Sequence, residues 1–456
     1  MIAPARLAAY QVLRAVNDNR SDLPHALARV RSELADERDR ALAGEIATGT
    51  LRWQAAFDHL VAAFARRPAT KLDPEVLDVL RLTLFQLLHL DRIPASAAVN
   101  DAVNLTRKVG KKSAAPLVNA VLRRASRERT KLPLPRRPTD DGRNRDAALD
   151  YLSITLSHPR WLVSRWLDRY GFEPTELWAR FDNGPAALTL RANTLRISRD
   201  SLAERLGSAG VDTEPGAFAK DALVVRSGNP LLTPLASEGL FVVQDEASQL
   251  VAEFVDPLPR SLLLDACASP GGKTTAFSAM MGDEGLVVAM DVRPKRIELL
   301  LKTVRSSGAG SIRIVHADAA RPLPFAAVFD HAIVDAPCSG LGTLRRDPDI
   351  RWRRSETEFP SLARLQSTIL EHVSAVVRPG GVLVYSTCSS EPEENEHVIQ
   401  RFLAGQPGWK AVEAWSGISP GVARVMNEAG HLRTFPFSHG LEAFFGAMVV
   451  NTGALR

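Results

Sequence analysis

Cysteine is scarce in this chain: there are three in 456 residues. Three cysteines cannot build a disulfide framework, which favours a reducing, cytoplasmic setting. No apolar run approaches the roughly 20 residues of a membrane span, and the N-terminal residues lack the apolar centre of a signal peptide. The ten histidines form no ligand spacing such as H-E-x-x-H. We therefore expect a soluble protein with neither a membrane partner nor a metal.

The remaining composition is typical of a folded protein. Hydrophobic residues make up 45% and charged residues 24% of the chain, which argues against long disordered segments. The length exceeds that of a single hydrophobic core, so two or three domains are expected. The net charge of +5 is compatible with a polyanionic partner but does not establish one.

Helical periodicity dominates residues 1–130. Apolar side chains recur at helical spacing, and Asp73-Pro74-Glu75 has the pattern of a helix start. This predicts an all-α domain, followed over 131–149 by a basic, proline-bearing linker. The linker is either a solvated tether or a strap that contacts phosphates, and the sequence favours neither.

Residues 150–237 mix helical and strand patterns and predict a small α+β module. Its Arg191-Ala192-Asn193 segment gives a weak indication of RNA contact. Over 238–456, strands and helices alternate, which predicts a mostly parallel, doubly wound α/β sheet. Thr434–Asn451 at its end has the pattern of antiparallel edge strands.

A glycine-rich turn follows the predicted strand Leu262–Asp265. The run Asp265-Ala-Cys-Ala-Ser-Pro-Gly-Gly-Lys-Thr274 joins that strand to a helix, whose first amides are free to meet a ligand. A P-loop would need glycine where Cys267 stands, and the dinucleotide fingerprint G-x-G-x-x-G is absent. The turn therefore predicts a nucleoside ligand without phosphate.

Acidic residues end the neighbouring strands at Asp291, Asp318 and Asp335. The first can accept hydrogen bonds from ribose hydroxyls, and the second can meet an adenine amino group. A lone acid at a strand end is usually a turn residue, but the set around a glycine turn fits S-adenosylmethionine. The predicted cofactor-binding residues are Cys267, Ala268, Ser269, Pro270, Gly271, Gly272, Lys273, Asp291, Asp318 and Asp335.

The other two cysteines follow strands as well. Cys338 lies in Asp-Ala-Pro-Cys-Ser-Gly after one apolar run, and Cys388 lies in Tyr-Ser-Thr-Cys-Ser after another. Free cysteine is commonly a small buried hydrophobe. The carboxyl ends of parallel strands line the ligand crevice of such folds, so we interpret these thiols as reactive groups.

These motifs, with Arg345-Arg-Asp-Pro-Asp-Ile-Arg-Trp352, resemble the RNA cytosine-5 methyltransferases of the Nop/Sun family. The helical N-terminus is similar to the NusB-like RNA-binding domain, a combination found in the Sun (Fmu) branch that acts on bacterial 16S rRNA. One motif differs, because Glu442-Ala443-Phe444-Phe445 stands where the family usually has Asp-Gly-Phe-Phe.

The resemblance implies catalytic roles for two cysteines, and the mechanism suggests two further catalytic residues, Asp335 and Lys273. Cys388 would add to carbon 6 of cytosine, and Cys338 would remove the proton from carbon 5 and allow release. Asp335 would form a hydrogen bond with the cytosine ring near nitrogen 3. Lys273 would stabilise the site electrostatically or anchor the cofactor carboxylate. DNA cytosine methyltransferases attack from a Pro-Cys cysteine, so exchanged thiol roles are the alternative.

Two further segments have open interpretations. The arginines around Trp352 fit phosphate contact and base stacking, but a solvated surface loop has the same composition. Glu391, Glu393 and Glu394 have the pattern of a helix's first turn and are interpreted as structural. The alternatives to 16S rRNA are tRNA and 23S rRNA with the same chemistry, or a non-catalytic RNA-binding assembly or antitermination factor.

Overall fold

The computed structural model describes residues 2–453. The helices are α1 (Pro4–Asn17), α2 (Leu23–Glu33), α3 (Glu37–Arg52), α4 (Gln54–Ala65), α5 (Pro74–His89), α6 (Ala95–Lys108), α7 (Ala115–Arg127), α8 (Arg145–Asp150), α9 (Arg160–Tyr170), α10 (Phe172–Asn183), α11 (Arg199–Ser208), α12 (Glu246–Val255), α13 (Gly272–Met280), α14 (Pro294–Ser307), α15 (Ile350–Arg353), α16 (Phe359–Ser374), α17 (Glu396–Gly405), α18 (Pro420–Ala423) and α19 (Pro436–His439). The strands are β1 (Thr189–Ala192), β2 (Asp212–Pro215), β3 (Ala222–Ser227), β4 (Phe241–Val243), β5 (Leu262–Asp265), β6 (Leu286–Asp291), β7 (Ile312–His316), β8 (Phe329–Asp335), β9 (Val377–Thr387), β10 (Trp409–Ala411), β11 (Leu432–Arg433) and β12 (Phe445–Asn451).

The chain forms two compact units. The first contains the residues up to Pro185 together with Leu344–Glu356, and the second contains Ala186–Thr343 and the residues from Thr357 onward. Helices α8–α10 thus group with the N-terminal helices, whereas the sequence places them in an α+β module. The boundaries at 130, 150 and 238 stay predictions.

The first unit is helical, as predicted. Helix α5 begins directly after Asp73, and its buried Val79 and Leu80 join a core with Leu13 of α1, Val61 of α4 and Val118 of α7. The apolar faces of these helices account for the bundle, since each covers the stripe that its neighbour would expose to water.

The segment Leu344–Glu356 fills a polar cleft of the first unit. Arg351 is fully buried and donates to the carbonyl of Ser157 at 2.9 Å, to Asn183 Oδ1 at 3.0 Å and to the carbonyl of Arg52 at 3.2 Å. The indole of Trp352 donates to the carbonyl of Leu51 at 2.6 Å. Arg351 and Trp352, which the sequence suggested for contact with RNA, therefore bind this segment to the rest of the first unit.

Two sheets build the second unit. The smaller is antiparallel, with the order β2-β3-β1-β4. The larger follows the order β10-β12-β9-β8-β5-β6-β7, with β11 paired to β12. Its strands β5 to β9 run parallel, in agreement with the predicted doubly wound fold.

Successive residues of the parallel strands face opposite cores. Leu263 and Ile333 pack with α12–α14 on one face, and Leu264 and Val334 pack with α16 and α17 on the other. Burial on both faces explains why these strands are continuous apolar runs in the sequence. Strands β5, β6, β7 and β8 each end in a polar residue, Asp265, Asp291, His316 and Asp335, and these ends lie at one edge of the sheet.

The tail of the chain is antiparallel, as expected, but its long strand is not at an edge. Strand β12 lies between β9 and β10, so the short β10 forms that edge. Both neighbours supply ladder hydrogen bonds, and Phe445 and Ala447 of β12 are buried. The edge prediction was wrong because β10 is a three-residue strand with little sequence signal.

Candidate active site

The glycine-rich turn connects β5 to α13 as expected. Ala268 N donates to the carbonyl of Met290 at 2.8 Å, which ties the turn to β6. Gly271 has φ +103°, and a Cβ atom there would lie 2.8 Å from Leu300 Cδ1. Only glycine fits this backbone without strain, so the turn is shaped closely against α14.

Arg191 lies beneath this turn rather than on a surface. Its buried guanidinium donates to Gln244 Oε1 at 2.8 Å, to Thr275 Oγ1 at 2.8 Å and to the carbonyl of Gly272 at 3.1 Å. Asn193 is also buried and donates to the carbonyls of Gly239 and Ser307. The indication of RNA contact at Arg191–Asn193 was wrong, because the fold uses their hydrogen-bonding groups internally.

The carboxylates expected around the cofactor lie at one edge of the sheet. Asp291 ends β6 and accepts from Arg293 N at 3.0 Å, and Asp318 follows β7 and accepts from Ala320 N at 2.9 Å. Asp265 is buried at the end of β5, where Thr274 Oγ1 donates to it at 2.7 Å. Burial raises the pKa of Asp265 to about 7.

Cys267 lies in the turn among these acids. Burial, followed by the charges of Asp265, Asp335 and Asp291, raises the pKa of its thiol. The Cys267 thiol is therefore neutral at physiological pH, whereas a reactive cysteine is a thiolate.

The other two cysteines meet. Cys338 follows β8 and Cys388 follows β9, and because these strands are parallel neighbours, their Sγ atoms come within 3.4 Å. Both residues are half-buried. The hydrogen bond to Cys388, reinforced by burial, raises the pKa of Cys338 well above its ordinary value. The pair thus favours a neutral Cys338 that donates to the sulfur of Cys388.

An ion pair lies beside the thiols. Lys273 Nζ donates to Asp335 Oδ2 at 2.7 Å, and Ser386 Oγ donates to Asp335 Oδ1 at 3.3 Å. Burial disfavours the charge of Lys273, but Asp335 outweighs it, and the pKa of Lys273 is raised. The Lys273 ammonium also lies 5.6 Å from the centre of the Phe444 ring. A charged Lys273 therefore lies beside the thiols and interacts with Cys388.

Gly342 holds the Pro-Cys loop against the Thr-Cys loop. Its N–H donates to the carbonyl of Cys388 at 2.9 Å, and its carbonyl accepts from Ala443 N at 3.0 Å. A Cβ atom at Gly342 would lie 1.9 Å from the carbonyl oxygen of Ala443. The hydrogen bond from Ala443 N to Gly342 is therefore present although Glu442–Phe445 differs from the usual Asp-Gly-Phe-Phe.

Three family models match the chain. The model described as 16S rRNA methyltransferase RsmB/F covers residues 252–450, the NusB family covers 3–127, and an RsmF/B-like ferredoxin-like domain covers 158–231. The chain is 33% identical over 421 residues to the probable ribosomal RNA small subunit methyltransferase B of Bacillus subtilis, covering 91% of each. It is 34% identical to the protein of the same description from Synechocystis, covering 97% of this chain and 98% of the other.

This chain belongs to the RsmB/F family of 16S rRNA methyltransferases. The Sun-type resemblance and the NusB-like N-terminal domain are thereby confirmed. The fold agrees as well: the crystal structure of PH0851 superimposes with a TM-score of 0.80 over 99% of both chains at 24% identity.

The arginine-rich segment of this family member needs a correction. Arg351, expected to contact phosphates or solvent, is fully buried, and burial lowers its pKa to about 10. The Arg345 guanidinium lies 4.3 Å from the centre of the Phe181 ring. Composition alone could not distinguish an exposed basic surface from a buried arginine that donates to backbone carbonyls.

Glu394 is the site residue that the sequence interpretation missed. It lies in the 3₁₀ turn Pro392–Glu394 before α17, fully buried, and contacts both cysteine loops. In the sequence, the acids Glu391, Glu393 and Glu394 have the pattern of a helix's first turn. The one signal for another role of Glu394 was that it stands close to Cys388 in the sequence.

Residues 2–453 contain no group of three or more His, Cys, Asp or Glu side chains placed to hold a metal ion. Within the same range, the helices fall short of the length and apolar character needed to cross a membrane.

Proposed function

We propose that this chain transfers a methyl group from S-adenosylmethionine to carbon 5 of a cytosine in 16S rRNA. The observation that carries the proposal is the 3.4 Å contact between Cys338 Sγ and Cys388 Sγ, beside the Lys273–Asp335 pair and the glycine turn. Carbon 5 of cytosine is a poor nucleophile, and a thiolate that adds to carbon 6 turns it into an enamine carbon.

The residues of the turn fit the proposed cofactor. The carboxylates Asp291 and Asp318 at neighbouring strand ends would repel a phosphate but can accept hydrogen bonds from ribose hydroxyls and an amino group. Gly271 and Gly272 let the backbone approach the amino-acid end, near the Lys273 ammonium. The cofactor, when bound, supplies an electrophilic methyl group on a sulfonium.

Cys388 is proposed as the nucleophile. The raised pKa of Cys338 keeps that thiol protonated, so it donates to Cys388, and the Lys273 ammonium adds positive charge. Both contacts favour Cys388 over Cys338 as the sulfur that reacts. Its sulfur would bond to carbon 6, and the Asp335 carboxylate would hold the ring through nitrogen 3 as charge develops.

Cys338 is proposed to complete the reaction. After methylation, carbon 5 carries both a methyl group and a proton, and the proton must leave before the bond from Cys388 to carbon 6 can break. Once Cys388 is bonded to carbon 6, it no longer accepts a hydrogen bond from Cys338, and the Cys338 thiol releases its proton to water. The thiolate that remains is strongly basic because the pKa of Cys338 is raised. Removal of the carbon 5 proton by Cys338 then regenerates the ring and frees Cys388. The net change replaces one proton by one methyl group.

Cysteine substitution tests this proposal. Incubation with RNA and cofactor should give no 5-methylcytosine with Cys388→Ala. Cys338→Ala should accumulate a protein–RNA adduct that survives denaturing electrophoresis. The opposite pattern would exchange the two roles, and full activity in both variants would refute thiol catalysis. Sequencing of 16S rRNA from cells with and without the protein identifies the methylated base.

A further inference from the structure

Glu394 is a buried carboxylate in contact with neutral donors. Its side chain is fully shielded from solvent, and within residues 2–453 it forms no ion pair with a lysine or arginine. Burying a carboxylate is costly unless hydrogen bonds replace the lost water. The structure supplies these bonds from the loops that carry the two cysteines.

The residue after each cysteine donates to Glu394. Ser339, which follows Cys338, donates its backbone N–H to Oε1 at 2.8 Å and its hydroxyl to Oε2 at 2.5 Å. Ser389, which follows Cys388, donates its hydroxyl to Oε2 at 2.5 Å. One carboxylate oxygen thus joins the two loops at the positions adjacent to the reacting sulfurs.

Helix α16 completes the arrangement. Gln366 Nε2 donates to Glu394 Oε1 at 3.0 Å and to the carbonyl of Pro337 at 3.0 Å, so the residue before Cys338 is held as well. The Tyr385 hydroxyl donates to the backbone carbonyl of Glu394 at 2.5 Å, which anchors the turn to β9. Four donors point at the side chain, and a carboxylate can accept all four.

We propose that Glu394 is a positioning residue for methyl transfer: its carboxylate fixes the Pro-Cys and Thr-Cys loops so that the two sulfurs stay in contact. The proposal rests on the proposed function, since it assigns a role in that reaction. Glu394 itself does not reach the reacting atoms. It acts through Ser339 and Ser389, one residue from each sulfur.

Charge gives Glu394 a second effect on the same pair. Cys388, which follows β9, and Glu394 from the turn act on Cys338, and Tyr385 of β9 interacts with it as well. Lys273 of α13 acts on Cys388 and is paired with Asp335 of β8. After the hydrogen bond to Cys388, burial and the charge of Cys388, the negative charge of Glu394 contributes to the raised pKa of Cys338. It therefore helps to keep Cys338 neutral.

Glu394→Gln is the test, with Glu253→Gln as the matched control. Glu253 is also a buried carboxylate of the second unit, accepting from Lys220 N at 3.1 Å and Ser419 Oγ at 2.7 Å, and it joins no cysteine loop. Iodoacetamide labelling of the full-length variants, read separately for each cysteine by mass spectrometry from pH 7 to 9, reports thiol ionisation without RNA or cofactor.

We expect Glu394→Gln to label Cys338 about three- to tenfold faster at pH 8, because a tenfold change follows from one pKa unit. Turnover should fall about 100-fold, since displacement of reacting groups by about 1 Å has that effect. Glu253→Gln should match the wild type in both. Wild-type labelling and turnover in Glu394→Gln would overturn the proposal.

A folding defect is separated by a second variant. Ser389→Ala removes one hydroxyl and leaves the charge of Glu394 in place, so turnover should fall several-fold while Cys338 labelling changes little. Wild-type turnover in Ser389→Ala would overturn the positioning role even if Glu394→Gln does not fold. An inactive wild-type enzyme with the expected labelling shift would instead contradict the proposed function alone.

Discussion

Replacement of Arg351 by methionine separates a structural role from an RNA-binding role. The guanidinium is fully buried and donates to Ser157, Asn183 and Arg52 at 2.9 to 3.2 Å. Methionine has similar length but no donor, so these acceptors would lose their partner without gaining water. Each unsatisfied buried acceptor costs about 1–3 kcal/mol.

The surrounding structure relaxes in part, so the total loss is smaller than the sum over the acceptors. We expect Arg351→Met to lower the free energy of unfolding by about 4 kcal/mol, as for loss of a buried charged partner. The first unit spans roughly 200 residues, for which 1 kcal/mol shifts the Tm by about 2–4 °C. Arg351→Met should therefore lower the Tm of the helical unit by about 8–16 °C in differential scanning calorimetry, where separate transitions can be followed.

Arg353→Met is the matched control in the same segment. Arg353 is exposed and pairs at 3.2 Å with the buried Asp349, which also accepts a hydrogen bond from Leu23 N at 3.2 Å, so loss of the pair should cost about 1–2 kcal/mol. The Tm of Arg353→Met should therefore fall by no more than about half of the shift expected for Arg351→Met. An Arg351→Met protein that melts like the wild type but loses RNA affinity would refute the structural interpretation and restore the RNA-contact interpretation of the sequence.

Three further predictions follow from the site. Lys273→Met removes the cation beside Asp335 and should lower turnover about 10²- to 10³-fold, measured by transfer of a labelled methyl group; more than half of wild-type turnover would contradict the role of this charge. Gly271→Ala places a Cβ 2.8 Å from Leu300 at φ +103° and should weaken cofactor binding at least tenfold in calorimetric titration, whereas unchanged affinity would show that the turn relaxes freely. The raised pKa of Asp265, about 7 when folded and about 3.9 when unfolded, means that the folded state binds more protons between these values. Stability is then lost as pH rises from about 4 to 7, so Asp265→Asn should stabilise the second unit at pH 8 more than at pH 4 in urea unfolding, and an equal effect at both pH values would be inconsistent with this.

The catalytic sheet was predictable because its strands are buried on both faces. Leu262–Asp265 and Leu286–Asp291 have the bounds that their apolar runs and terminal acids predict. The same regularity places Cys338 and Cys388 at strand ends. The structure shows that these two strands are neighbours and brings the sulfurs together. Local pattern suffices where each strand end is marked by a change from apolar to polar residues.

The errors occur where a polar residue is buried. Arg191 and Arg351 have the composition of a phosphate-binding surface, but their partners are carbonyls and hydroxyls from distant parts of the chain. Glu394 is similar, since its donors come from residues 339, 366 and 389. No local pattern encodes such long-range hydrogen bonds, so these side chains were assigned to solvent, RNA or a helix end.

The return of Leu344–Glu356 to the helical unit makes that unit discontinuous along the gene. An N-terminal fragment that stops at Pro185 would leave out Arg351, and the carbonyls of Arg52 and Ser157 would lose their donor. Recombination between related genes at that point would exchange an incomplete bundle. The helical unit of this chain is thus complete only where the gene also encodes the peptide Leu344–Glu356.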